Sequence, residues 1–357
     1  MTFPKMRADL EELPAYKAGK SATSNAGLEV FKISSNENPY SPHPKIIEAI
    51  TRAANSIQRY PDPNSTRLIE RLADKYQVNP NQISLGTGSV AVLTQLIQAS
   101  ATHDDEVIFA WRSFEAYPIV TKVAGATAVK VPLKENHEHD LEAMLKAITP
   151  NTKTILVCSP NNPTGTAVKK QEFINFLNQV PKDILVVLDE AYTEFVTDPT
   201  AINGIKDLNN ENNLAILRTF SKAYGLAGLR VGFTIAQAPV IDYLKKVALP
   251  FGVSSIAQAA ALAALDNEDE ILQSVNTLIL ERDRVYNELK NLKINIPNPQ
   301  GNFIWFDLKE KSEEFANTCE QAGIIVRVFA NEGVRATIAE TVANNRLIEV
   351  ASKFRFE

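Results

Sequence analysis

The chain has 357 residues, of which 45% are hydrophobic and 22% charged, and its formal net charge is −5. This composition is ordinary for a folded enzyme, and it argues against the basic surface that nucleic-acid binding requires. Two cysteines, Cys158 and Cys319, exclude a disulfide framework and a cysteine-based metal site. The N-terminus has no signal core, and no apolar run approaches the roughly 18 residues of a membrane span. We therefore expect a cytoplasmic protein with no membrane or nucleic-acid partner.

The chain divides into three predicted parts. Residues 1–44, rich in Pro, Ser and Asn, are predicted to form an arm that packs with a smaller domain. Residues 45–250 alternate between nearly continuous apolar runs and helical patterns, which predicts a large α/β domain with a mostly parallel sheet between helices. Ligands bind such sheets at the carboxyl ends of the strands. The predicted strands are Glu106–Ala110, Thr154–Cys158, Ile184–Leu188 and Leu214–Arg218.

The pattern changes after Pro250, and residues 251–357 are predicted to form a small α+β domain. A long helical stretch is predicted from Ser254 to Leu292. Two strands, Phe303–Asp307 and Gly323–Arg327, and two further helices complete this unit.

A glycine-rich turn, Gly86-Thr-Gly-Ser-Val90, follows a strand-like run and opens a predicted helix. Amide groups at a helix N-terminus, together with the helix dipole, favour phosphate. Gly88 and Ser89 are therefore candidate phosphate ligands, and Ser89 could also be a helix cap and nothing more.

Two further polar segments each follow a predicted strand. Ser159-Pro-Asn-Asn-Pro-Thr-Gly165 is a rigid turn that would fix the Asn162 amide in space. Leu188-Asp-Glu-Ala-Tyr192 places Asp189 and Tyr192 at the end of the next strand. A carboxylate there can pair with a protonated pyridine nitrogen, whereas Asp189 considered alone could be a helix cap.

Lys222 lies in the most informative segment, Arg218-Thr-Phe-Ser-Lys-Ala-Tyr-Gly-Leu-Ala-Gly-Leu-Arg-Val-Gly232. A lysine that forms a Schiff base needs a desolvated pocket and close backbone approach. Ser221 and Arg230 suit a phosphate, through a hydroxyl hydrogen bond and a guanidinium fork. Alone, the segment would describe a surface turn. Four such elements in this order indicate a covalently held pyridoxal phosphate.

With these motifs the chain resembles the fold-type I pyridoxal-phosphate-dependent aminotransferases, close to the histidinol-phosphate and aromatic amino-acid (phenylalanine-type) group. The resemblance runs from Ser35-Asn-Glu-Asn-Pro39 through Arg59-Tyr-Pro-Asp62 to Gly333-Val-Arg335. It implies the fold-type I architecture, transaminase activity and a homodimer. His137 and His139, in a polar turn, are not expected to bind a metal.

The resemblance also implies a role for each candidate residue. The implied catalytic residues are Lys222 as Schiff-base lysine and proton carrier, Asp189 at the pyridine nitrogen, and Tyr192 with Asn162 at the phenolate oxygen. Phe114 would stack on the pyridine ring. The implied phosphate ligands are Gly88, Ser89, Ser221, Arg230 and, from the neighbouring subunit, Tyr60. The implied substrate-binding residues are Tyr16, Asn36, Arg327 as an anion ligand and Arg335 at the α-carboxylate.

The sequence leaves the preferred substrate open between two amines. Histidinol phosphate and aromatic amino acids both present a flat ring and an anionic head, so one pocket can serve either. Residues 111–118, 247–255 and 302–305 favour an aromatic amino-acid:2-oxoglutarate aminotransferase. Trp111 and Phe251 could contact a ring side chain or be core aromatics. A regulator that uses this fold as a sensor domain and a lyase on the same scaffold are the alternatives from other classes.

Overall fold

The structure is a computed structural model that describes residues 3–11, 13, 29–208 and 211–356. The strands of this described part are β1 (Phe31–Lys32), β2 (Ile83–Gly86), β3 (Glu106–Trp111), β4 (Thr127–Pro132), β5 (Thr152–Cys158), β6 (Leu185–Asp189), β7 (Leu214–Thr219), β8 (Gly232–Ala236), β9 (Phe303–Phe306), β10 (Ile324–Ile325), β11 (Arg327–Phe329) and β12 (Gly333–Thr337). Its helices are α1 (Pro44–Ala54), α2 (Thr66–Tyr76), α3 (Ser89–Ser100), α4 (Ala116–Ala124), α5 (Leu141–Lys146), α6 (Lys170–Gln179), α7 (Gly204–Leu208), α8 (Ala238–Val247), α9 (Ser255–Asp266), α10 (Glu268–Asn291), α11 (Ser312–Gln321) and α12 (Thr341–Lys353).

The largest sheet has seven strands in the order β2-β8-β7-β6-β5-β3-β4. β8 is antiparallel to both of its neighbours, β2 and β7, and every other adjacent pair is parallel. Alternate residues of a strand face opposite sides of the sheet. In β5, Ile155 and Val157 accordingly pack into one apolar cluster and Leu156 into the other. Both faces are buried, and the carboxyl ends of β2, β3, β5, β6 and β7 lie at one edge.

Two smaller sheets accompany this large one. β9, β11 and β12 form an antiparallel sheet in the order β11-β12-β9, and β1 pairs in parallel with β10. A large, mostly parallel sheet with flanking helices and a smaller α+β part is the predicted fold class. The predicted domain limits, 1–44, 45–250 and 251–357, stay a prediction. Packing joins α9 to α1 and α2, and α10 to α12.

The four strands predicted in the large sheet are confirmed, with small shifts at their ends. The long helical stretch predicted from Ser254 to Leu292 is confirmed as helical but not as one element, because it consists of α9 and α10. It breaks at Asn267, whose φ of −121° and ψ of 30° leave the helical region. The Asn267 side chain donates to the carbonyl oxygen of Ala263 at 2.7 Å, and such local bonds compete with the helical backbone pattern.

The strand predicted over Gly323–Arg327 is also wrong as one element. β10 pairs with β1, whereas β11 pairs with β12, so the chain changes sheets at Val326. The apolar pattern does not predict β4, β8 or β12. It could not reveal the change of sheet either, because the run from Gly323 to Arg327 has no polar break and only the strand partners differ.

Candidate active site

Turns at the ends of five strands surround one cavity of about 290 Å³. The turns follow strands whose carboxyl ends lie at the same edge of the sheet, so segments far apart in sequence converge there. The structure thereby brings ten predicted residues together: Ser89, Phe114, Asn162, Asp189, Tyr192, Ser221, Lys222, Arg230, Arg327 and Arg335.

Lys222 lies in the wall of this cavity. Its Nζ donates to the carbonyl oxygen of Ser35 at 3.1 Å and lies 5.9 Å from the centroid of the Tyr192 ring. Burial, and to a smaller extent the positive charge of Arg335, lower the pKa of Lys222 from 10.5 to about 7. A large fraction of the amine is therefore uncharged near neutral pH, as a nucleophile or proton acceptor requires.

Asp189 ends β6 and is buried. Its Oδ2 accepts a hydrogen bond from the Tyr117 hydroxyl at 2.8 Å, and its Oδ1 accepts one from the Ala191 amide at 3.2 Å. Burial raises the pKa of Asp189 from 3.8 to about 6, and the two hydrogen bonds offset that rise only in part. Within the described residues no cation pairs with this carboxylate, so a positive group entering the cavity would stabilise it strongly.

A set of buried hydrogen bonds orients the polar groups around Lys222. Arg335 donates through Nη2 to the carbonyl oxygen of Ser34 at 2.7 Å and through Nη1 to Oδ1 of Asn162. Asn36 donates through Nδ2 to the Tyr192 hydroxyl at 2.9 Å. The Asn162 amide, the Tyr192 hydroxyl and the Arg335 guanidinium are thereby positioned on the cavity wall. The proposed contact of Asn36 with substrate stays a prediction.

The N-terminus of α3 forms one corner of the cavity. α3 begins at Ser89, directly after Gly88, whose φ is 88°. The corner leaves no room for a side chain at either of two glycines. A Cβ at Gly88 would lie 2.3 Å from Arg230 Nη2, and a Cβ at Gly232 would lie 2.4 Å from the Ser89 nitrogen. Nη1 of Arg230 in turn lies 3.4 Å from Oγ of Ser221. Amides, a hydroxyl and a guanidinium therefore converge at a helix N-terminus, which fits a phosphate group.

Tyr60 does not join the cavity within this chain. Tyr60 is 82% exposed, and its ring stacks on Phe251 with centroids 4.7 Å apart. Tyr16 lies outside the described residues. The guanidinium of Arg112 lies 4.1 Å from the centroid of the Trp111 ring. Neither Trp111 nor Phe251 is part of the cavity wall that the described residues form.

Tyr117 and Glu115 bind predicted site residues and were not themselves predicted from the sequence. Tyr117 binds Asp189 and lies three residues after Phe114, with the two rings edge to face at 5.7 Å. The two aromatic residues are close in the sequence, and that proximity is the local signal that could have pointed to Tyr117. Glu115 accepts a hydrogen bond from Nη2 of Arg327 at 2.7 Å. No local pattern could have revealed this pair, because 212 positions separate the two residues.

The described ranges contain neither a metal-ligand cluster nor a helix that could span a membrane. No three His, Cys, Asp or Glu side chains cluster there as metal ligands would. No helix in the same ranges is long and apolar enough to cross a bilayer. His139 is buried, and Nε2 of His137 lies 3.6 Å from Oδ2 of Asp307.

The fold and the cavity together define a class of enzyme. A half-buried lysine after β7, a buried carboxylate at the end of β6 and a phosphate cradle at α3 are the arrangement expected of fold-type I pyridoxal-phosphate enzymes. The chain belongs to the family described as aminotransferase class I and II, whose model matches residues 29–349. It is a pyridoxal-phosphate-dependent transaminase, and the predicted cofactor and enzyme class are confirmed.

Similarity to individual proteins extends over the full length. The aromatic amino acid aminotransferase of Streptomyces coelicolor is 52% identical over 356 residues, covering 100% of this chain and 99% of that protein. The protein of the same name from Thermobifida fusca is 46% identical over 351 residues, covering 98% and 97%. The structure of histidinol-phosphate aminotransferase from Sinorhizobium meliloti in complex with pyridoxal-5′-phosphate has a TM-score of 0.88, with 26% identity and 98% of each chain covered. The predicted fold class is confirmed.

Proposed function

We propose that the chain moves an amino group between an aromatic amino acid, phenylalanine or tyrosine, and 2-oxoglutarate. Support comes from full-length identities of 52% and 46% to relatives named aromatic amino acid aminotransferase. Identity to the histidinol-phosphate aminotransferase structure is lower, at 26%. Histidinol phosphate is therefore the second candidate donor.

We propose that the cavity holds the cofactor through the groups already described. Asp189 would face the pyridine nitrogen, Asn162 and Tyr192 would donate to the ring oxygen, and Phe114 would contact the ring face. When bound, pyridoxal phosphate supplies an electron-withdrawing ring that stabilises negative charge on the substrate Cα. The proposed phosphate ligands are Gly88, Ser89, Ser221 and Arg230.

Lys222 is the proposed proton carrier of the reaction. With a pKa of about 7, its amine can accept a proton from the substrate Cα and return it at neutral pH. Arg335 is the proposed ligand of the α-carboxylate, because its guanidinium is buried and a carboxylate matches it in shape and charge. Holding the carboxylate there would limit the rotation of the substrate and keep its Cα near Lys222.

The proposal predicts a preference among amino donors. We expect kcat/KM for phenylalanine to exceed that for histidinol phosphate by at least about tenfold, measured with 2-oxoglutarate as acceptor. Absorbance of the bound cofactor follows the first half-reaction directly, with tyrosine as a second aromatic donor and alanine as an aliphatic control. A higher kcat/KM for histidinol phosphate would assign the enzyme to the second candidate donor.

We further propose a homodimer in which Tyr60 completes the cavity of the second copy. The support is the exposure of Tyr60 together with other large apolar side chains, because such surfaces are usually buried by a partner. Tyr60 is 82% exposed, Leu249 69%, Ile57 66% and Tyr243 58%.

Mixing two inactive variants tests this arrangement. A Lys222→Ala subunit and a Tyr60→Ala subunit, denatured together and refolded, form hybrids in which one cavity carries both changes and the other carries neither. We expect each homodimer to be impaired by about tenfold or more, as is usual for removal of a charge-assisted phosphate contact, and the mixture to regain activity. A mixture no more active than its components would show that Tyr60 serves its own chain.

A further inference from the structure

The carboxylate of Glu115 forms an ion pair with Arg327 in the wall of the cavity. Glu115 and Arg327 both line the wall, and Nη2 of Arg327 lies 2.7 Å from Oε2 of Glu115. The two side chains are only 29% and 11% exposed, respectively. An ion pair with so little access to water is screened less than a surface pair.

The register of the three-stranded sheet β11-β12-β9 explains why Arg327 needs a counter-charge. Arg327 of β11 lies directly opposite Arg335 of β12 in the antiparallel ladder. Like charges at such positions repel each other. Arg335 donates to the uncharged oxygens of Ser34 and Asn162, whereas Arg327 is paired with the negative charge of Glu115. The Glu115 carboxylate therefore offsets part of the positive charge that these two opposed arginines bring together.

We propose that Glu115 is a specificity-determining residue that shields Arg327 from donors with anionic side chains. A donor with an uncharged aromatic side chain leaves the ion pair intact. A donor that carries a phosphate ester meets the Glu115 carboxylate and has to displace it, which is a repulsive element against the wrong substrate. The distal carboxylate of a dicarboxylate acceptor replaces Glu115 on Arg327 in the other half-reaction. The identity of the two donors rests on the proposed function. The effect of Glu115 on the binding of anions to Arg327 does not.

A second ion pair provides a matched control. Arg112 and Glu332 also join the turn after β3 to the β11–β12 hairpin, with Nε of Arg112 2.5 Å from Oε2 of Glu332. Neither residue belongs to the cavity wall that the described residues form. Glu332→Gln therefore removes one negative charge and weakens the same connection without changing the charge inside the cavity.

Glu115→Gln tests the proposal in the complete enzyme. Glutamine keeps the length and an acceptor oxygen, and Arg327 also packs on the Phe329 ring with its guanidinium 5.7 Å from the centroid. We expect the ratio of kcat/KM for phenylalanine to kcat/KM for histidinol phosphate to fall by about tenfold in Glu115→Gln, and the ratio in Glu332→Gln to match the wild type. An unchanged ratio in Glu115→Gln, or an equal fall in both variants, would overturn the proposal.

Binding of two unreactive acids separates this inference from the proposed function. Glutarate carries a distal carboxylate and 3-phenylpropionate carries an uncharged ring, and calorimetry gives the Kd of each for the enzyme with its cofactor. We expect the Kd of glutarate relative to that of 3-phenylpropionate to fall by about tenfold in Glu115→Gln only. That result upholds the role of Glu115 even if phenylalanine is a poor donor. A preference for phenylalanine with no change in glutarate binding overturns the role of Glu115 and leaves the proposed function standing.

Discussion

Replacing Lys222 by alanine is expected to lower kcat for phenylalanine by at least about 10³-fold, within the range that general acid–base groups contribute. The reason is the environment of the amine, which is buried and has its pKa lowered from 10.5 to about 7. Lys222 donates to the carbonyl oxygen of Ser35 at 3.1 Å, and no other lysine belongs to the cavity wall that the described residues form. Steady-state rates with saturating pyridoxal phosphate measure the loss.

Two controls distinguish loss of the amine from loss of the fold. Lys222→Arg keeps a positive charge but cannot become neutral, because the guanidinium pKa is above about 12, and we expect it to be as inactive as the alanine variant. Adding small primary amines to Lys222→Ala should restore part of the rate, in proportion to the uncharged amine present. Retention of more than a few per cent of wild-type kcat in either variant would contradict the role given to Lys222.

Replacing Asp189 by asparagine is expected to change activity and stability in opposite directions. The neutral amide cannot balance a protonated pyridine nitrogen, and we expect kcat to fall by about 10²–10³-fold, as when one electrostatic group of an active site is removed. The Tyr117 hydroxyl can rotate to accept from the new amide, and Ala191 can still donate to the remaining oxygen. The fold should therefore tolerate the change.

The cofactor-free Asp189→Asn protein should be more stable than the cofactor-free wild type at pH 8. The pKa of Asp189 is raised to about 6 in the folded chain, against 3.8 when unfolded, so its ionisation opposes folding. The stability linked to the protonated form is present below pH 3.8 and is lost as the pH rises through about 6. At 1.36 kcal/mol per pKa unit, this difference in pKa corresponds to about 3 kcal/mol in the free energy of unfolding.

Urea denaturation of the cofactor-free proteins at several pH values measures this effect. The advantage of Asp189→Asn over the wild type should shrink as the pH falls from 8 towards 4. Asp198→Asn is the control with the opposite sign, because hydrogen bonds, first of all from Lys169, lower the pKa of Asp198 to about 2. That variant should lose stability at neutral pH. If Asp189→Asn were destabilised at pH 8 and the gap did not depend on pH, the assigned burial cost would be wrong.

Sequence patterns were most informative where a polar residue directly follows an apolar strand. The strands that lead to Asn162, Asp189 and Lys222 are nearly continuous apolar runs. A strand covered on both faces needs apolar residues at nearly every position, because both sets of side chains are buried. The change of sheet at Val326 depends on strand partners distant in the chain, whereas the helix break at Asn267 depends on one local side-chain hydrogen bond that the apolar pattern does not reveal. Local propensity is similar on either side of each break.

The order of motifs along the chain by itself determined the fold class, the cofactor and the place of Lys222 and Asp189. Parallel strands align their carboxyl ends, so residues that follow separate strands must meet. Only the tertiary structure decided which groups touch. Tyr117 reaches Asp189 across 72 positions, Asn36 reaches Tyr192 across 156, and Glu115 reaches Arg327 across 212. A hydrogen bond depends on distances of a few tenths of an ångström, and those are set by how segments distant in the chain pack together rather than by any local spacing of residues.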